Sequence, residues 1–101
     1  MTIVDQVKNW YRENVQRFGE SLSKVNINSN TADPVRGAVV IEMETRALVA
    51  SITFWNKGDV CVLGLHKQTK EDMIFDDRTL NPSEDIPTLL DRYFQEIARQ
   101  R

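Results

Sequence analysis

Apolar positions along the chain change period twice. Over residues 3–18, Ile3, Val7, Trp10, Tyr11, Val15 and Phe18 fall three or four apart, with Trp10 and Tyr11 side by side. That is the stripe of an amphipathic helix. Thr2 stands where an N-cap is wanted and Gly19 where a helix stops. Leu22, Val25 and Ile27 then mark a first strand over residues 22–28, and NSNTADP reads as a loop. Strands follow over residues 37–44, from Leu48 onward, and through the hairpin ITFWNKGDVCVLGLH. A fifth, around residues 73–76, comes after the turn QTKE; either Met73 and Phe75 or Ile74 faces the core. The helical period returns at Ile86, Leu89, Leu90, Tyr93, Phe94 and Ile97. This helix begins near Asp85 or Ile86, with Pro87 in its first turn and Asp85 or Ser83 as cap.

Short turns make the sheet an antiparallel meander. A turn at Thr45-Arg46 pairs Met43 with Leu48, Ile41 with Ala50 and Val39 with Ile52. A four-residue turn, Asn56-Lys57-Gly58-Asp59, then extends that face through Phe54 to Cys61, Leu63 and Leu65. The expected fold is a two-layer α+β domain spanning residues 1–101. Its sheet has four to five strands, with the N-terminal and C-terminal helices on one face. The second face then carries Val40, Glu42, Glu44, Val49, Ser51, Thr53, Trp55, Val60, Val62, Gly64 and His66. It reads as a semi-apolar surface rimmed by carboxylates, and such surfaces mark partner sites. One helix on each face is the alternative arrangement.

Composition narrows the class. Apolar residues make up 41% and charged residues 28%, ordinary for a soluble chain. No apolar run nears the ~20 residues of a membrane helix. The start, MTIVDQVKNWY, lacks the basic head and apolar run of a signal peptide. A lone cysteine, Cys61, fits a reducing compartment. The expected location is the cytoplasm. A net charge of −2 recruits no nucleic acid. From Glu71 to Asp91, however, seven acids face one base, Arg78.

Candidate chemistry is sparse. His66 is the single histidine and has no partner at metal-ligand spacing, so no metal is expected. Cys61 falls on the expected core face, with no basic neighbour to activate it. The four glycines are scattered and make no phosphate loop. Glu42 with Glu44, and Asp76 with Asp77, read as a solvated rim rather than acid–base pairs. Neither an enzyme nor a cofactor is expected.

Three stretches carry a resemblance. They are the aromatic pair in NWYREN, the hairpin ASITFWNKGDVCVLGL, and TKEDMIFDD followed by IPTLLDRYFQEI. Together they resemble the small bacterial immunity proteins of the TriTu family. One position departs from the family pattern: Lys70 stands where a glycine is usual in the turn after Thr69. The resemblance implies a cytoplasmic protein made beside a polymorphic toxin of the Rhs and type VI secretion kind. The implied toxin is an ADP-ribosyltransferase acting on elongation factor Tu, neutralised when the immunity protein covers its NAD or target site.

On that reading the toxin-contacting residues are Glu42, Glu44, Thr53, Trp55, Val60, Val62, Asp76 and Asp77, with Trp55 as the anchor. The partner is the cognate toxin domain in a heterodimer. Nucleic acid and membrane are not partners, and the free protein is a monomer. A homodimeric scaffold and a small-ligand-binding module are the alternatives.

Overall fold

The computed structural model describes residues 2–30 and 36–100; most of the expected loop, residues 31–34, lies outside them. The order is α1 (Ile3–Asn14), a 3-10 turn (Val15–Phe18), β1 (Lys24–Asn30), β2 (Ala38–Glu44), β3 (Leu48–Trp55), β4 (Asp59–His66), β5 (Asp72–Thr79) and α2 (Ile86–Ala98). The strands form one antiparallel sheet in the order β1-β2-β3-β4-β5. The α+β meander expected from the periodicities is therefore the fold.

Both helices lie on the same sheet face. Val4, Val7 and Trp10 of α1 share one buried cluster with Leu89, Leu90, Phe94 and Ile97 of α2 and with the inner rows of the strands. Trp10 meets Phe94 edge-on at 4.9 Å, and Phe18 closes the group at 5.1 Å from Phe94. Each fully buried aliphatic or aromatic side chain here contributes about 1.5–3 kcal/mol. The helix starts are capped as their sequences suggest. The Thr2 side chain accepts from the Asp5 N–H, and the Asp85 side chain accepts from the Thr88 N–H. In addition, Asn56 in the β3–β4 turn accepts from the Val4 N–H at 3.0 Å, tying that turn to the start of α1.

Two turns and a bulge decide which residues face the helices. The β2–β3 turn sits one residue later than expected, at Arg46-Ala47. Thr45, buried, accepts from the Ala47 and Leu48 N–H groups and donates to the Gln100 carbonyl. The register consequently moves by two, to Met43–Ala50, Ile41–Ile52 and Val39–Phe54. A slip of two keeps every side chain on its expected face, so this half of the core is as anticipated.

The β3–β4 turn differs by one, and the consequence is larger. It holds three residues between Trp55 and Asp59, not four. Gly58 N–H donates to the Trp55 carbonyl at 2.9 Å, and Gly58 has φ +109°, the left-handed backbone of a three-residue hairpin loop. Phe54 therefore opposes Val60, and Ile52 opposes Val62. A one-residue change flips the whole strand. Val60 and Val62 are buried on the helix side, and Cys61, Leu63 and Leu65 face away from it. The expectation had these two rows reversed. His66 opposes Leu48 and belongs with the inner row as well.

Between β4 and β5 an extra residue, Phe75, separates the pairs Val62–Asp76 and Leu63–Ile74. This bulge turns both Phe75 and Asp76 toward the helices. The Phe75 ring lies where a Cβ on Gly64 would come within 3.0 Å of it, which keeps that position small.

Candidate functional site

The outer sheet face is covered by no helix among the described residues. Its residues form cross-strand rows from β2 to β5. One reads Glu44, Val49, Leu65, Asp72; the next Glu42, Ser51, Leu63, Ile74; the third Val40, Thr53, Cys61, Asp77. Trp55, Asp59 and Thr79 follow at the hairpin end. The middle of this face is apolar and its margins are acidic. Val49 (42% exposed), Leu63 (42%), Leu65 (37%) and Ile74 (70%) are the large apolar residues left open to solvent. A shallow depression runs between Val40, Glu42, Val49, Leu63, Leu65 and Asp72.

The expected site residues divide between the two faces. Glu42, Glu44, Thr53, Trp55 and Asp77 lie together on the outer one. Val60 and Val62 do not: both are in the core, as the three-residue turn requires. Asp76 is also turned inward. Its side chain is 13% exposed, takes the Tyr93 hydroxyl at 2.5 Å and the Arg78 Nε at 3.1 Å, and lies 3.8 Å from Arg92. Arg78 in turn forks onto both oxygens of Glu84. This guanidinium lowers the Glu84 carboxyl below the usual range, helped by the Asn81 N–H. Burial, then the Asp76 hydrogen bond, holds the Tyr93 phenol well above its usual value. Asp76 thus joins β5 to α2 and is no part of the open surface. Cys61, Leu63 and Leu65 were not anticipated there, and Ile74 was so placed by one of the two registers open for β5. The signal was Gly58: a glycine in third place after Trp55 marks a three-residue loop with a left-handed residue.

The carboxylates of the outer face are unequal. Glu44 is held by Lys24 at 3.5 Å and Lys67 at 3.6 Å, and Asp59 by Lys57 at 3.1 Å. Glu42, Asp72 and Asp77 form no salt bridge among the described residues. Much of the acidic excess after Glu71 is used internally. Asp76 and Glu84 hold Arg78, Asp85 caps α2, and Asp91 pairs with Arg17 at 2.6 Å.

Nothing in this face has the form of a reaction centre. The Cys61 thiol is pushed up by burial and then by the Asp77 and Asp76 charges, the reverse of an activated cysteine. Among the described residues no three His, Cys, Asp or Glu side chains converge as metal ligands. No helix among them is long and apolar enough to cross a membrane. What the arrangement can do is bind: an apolar centre, an aromatic at one end, and free negative charge on the margins.

Comparison with known proteins gives one match. A family model described as Immunity protein TriTu matches residues 5–96, which takes in most of α1, all five strands and most of α2. No curated protein and no solved structure matches the chain.

Proposed function

Since the chain belongs to the TriTu family of immunity proteins, we propose that it neutralises its cognate toxin by binding alone, one to one, through the outer face of the sheet. The observation that carries this reading is that face itself. The fold leaves four large aliphatic residues open there and adds Glu42, Asp72 and Asp77, which form no salt bridge among the described residues. Burying such side chains against a partner is favourable by the same physics that builds the core. The free carboxylates speed encounter with a basic surface.

The finer identity follows the family resemblance. The toxin is an Rhs-type, type VI-delivered ADP-ribosyltransferase acting on elongation factor Tu in the bacterial cytoplasm. A cleft that binds NAD must hold a pyrophosphate with cationic and N–H groups, and Glu42, Asp72 and Asp77 complement such a surface. The immunity protein acts as a monomer that covers the cleft, without reversing the modification. The test mixes purified toxin, its target and NAD with increasing amounts of the protein. Inhibition saturates near one equivalent, and target modified beforehand stays modified when the protein is added. Recovery of unmodified target at substoichiometric protein would make this chain a hydrolase.

A further inference from the structure

At the hairpin end of the sheet lies a concavity lined by the outward Trp55, Asp59, Asp77 and Thr79, by Lys57 of the turn, and by Val60 and Arg78 of the inner row. Its lining carries two cations, Lys57 and Arg78, and two carboxylates, Asp59 and Asp77. The two cations are already engaged, Lys57 with Asp59 at 3.1 Å and Arg78 with both Asp76 and Glu84. Asp77 has no such partner among the described residues, and its charge reaches the neighbouring Cys61 thiol. Asp59 is fixed by Lys57 and by the Thr79 hydroxyl at 2.9 Å, and both hold its carboxyl below the usual range. Trp55 supplies a half-buried indole on the opposite wall.

We infer that this concavity is a socket for one arginine side chain of the toxin, stacked on Trp55 and paired with Asp77. Two features select arginine. The indole attracts a cation over its ring, and a guanidinium stacks there better than an ammonium does. Trp55 and Asp77 also lie on strands two apart and one outward row apart, which puts their Cα atoms about 12 Å from each other on the diagonal. A planar fork lying on the ring spans the remaining gap to the carboxylate. The outer face of a second copy offers no such group: the one cation on the outward rows of the described strands, Lys24, is held by Glu44.

The inference rests on the outer face being the toxin-binding surface, and two measurements separate them. In the free protein, Nα-acetyl-arginine amide is titrated while the indole N–H resonances of Trp55 and Trp10 are followed. The Trp55 resonance moves and saturates in the millimolar range, and the buried Trp10 resonance stays. Nα-acetyl-citrulline amide, the same shape without the charge, leaves both in place, and Asp77→Asn abolishes the arginine response. Second, toxin affinity is measured for Trp55→Leu, Asp77→Asn and Leu63→Asp, each shown folded by circular dichroism. The two socket variants each lose about tenfold or more, and together they lose less than the product. If Leu63→Asp abolishes binding while the socket variants bind like the parent, the face stands and the socket falls. If all three bind like the parent, both fall. An equal response to citrulline and arginine overturns the charge assignment.

Discussion

Strand β4 carries two apolar rows, and the fold uses one. Val60 and Val62 are sealed between the sheet and the helices, with Gly64 beneath the Phe75 ring. Cys61, Leu63 and Leu65 point the other way and find only the margins of their neighbours. The same split occurs one strand over, between adjacent residues. Asp76 is gripped by Tyr93 and Arg78, and Asp77 faces water with no salt bridge among the described residues. Inner residues answer to packing and hydrogen-bond satisfaction. Outer residues add nothing comparable to the core, so their chemistry is available to a partner.

Reversing polarity on the two rows gives the largest effect. Val62→Asp places a carboxylate in the core with no partner and costs more than about 4 kcal/mol. That is comparable with the whole stability of a domain this size, so the variant does not fold. Leu63→Asp, its neighbour, stays within about 1 kcal/mol of the parent and loses toxin binding. Urea unfolding followed by far-ultraviolet circular dichroism reads both. A folded Val62→Asp beside an unfolded Leu63→Asp would exchange the faces.

The adjacent aspartates sharpen the comparison with a smaller effect. Asp76→Ala removes the acceptor of a buried phenol and one partner of Arg78, a loss of about 2–3 kcal/mol. Asp77→Ala stays within about 0.5 kcal/mol. The phenol adds a pH signature. Tyr93 is held protonated in the fold by burial and by Asp76, whereas in the unfolded chain it ionises near pH ~10. Its contribution is complete below that value and declines as pH rises beyond it, because the unfolded state then releases a proton that the folded state keeps. Tyr93→Phe, itself destabilised by about 1–2 kcal/mol at neutral pH, therefore loses stability less steeply above pH ~10 than the parent. An unchanged alkaline slope would show that another group governs it.

These contrasts also mark where the sequence could be read. The helices were plain, because three-and-four spacing and caps at Thr2 and Asp85 are local signals. The inner face of β2 and β3 survived a misplaced turn, since the error was an even number of residues. Strand β4 was inverted because both of its rows are apolar, and alternation could not report which one was buried. Only the turn could, and there the loop count was wrong by one. The Asp76–Asp77 pair failed for a related reason. Neighbours in a strand face opposite ways, but the Phe75 bulge fixes which of them points inward, and a bulge has no period. That an open semi-apolar face would remain followed from having two amphipathic helices and one sheet.

Gly58 tests that turn directly. A Cβ at this position meets nothing within 4 Å, so the cost of Gly58→Ala is that of the backbone alone. At φ +109° it amounts to about 1–2 kcal/mol. Inner and outer rows keep their identity if the three-residue loop persists, and Leu63 and Leu65 remain open to solvent. A loop that relaxes to an even number of residues would bury them instead. Hydrogen exchange of the β4 amides, with toxin binding as a second readout, distinguishes the two.

The smallest effect concerns the other left-handed residue. Lys70 has φ +61° in the turn between β4 and β5, and its N–H donates to the His66 carbonyl at 2.9 Å. A side chain in this region costs about 1 kcal/mol or more relative to glycine. Glycine returns part of that by loosening the unfolded chain. Lys70→Gly therefore stabilises the protein by about 0.5 kcal/mol, a rise of about 2–4 °C in Tm, read by differential scanning calorimetry. Lys70 sits at the end of the sheet away from Trp55, so toxin affinity is unchanged. A fall in Tm would mean that the lysine side chain holds the turn. The register of β5, and with it the outward placement of Ile74 and Asp77, would then depend on that contact and not on the backbone.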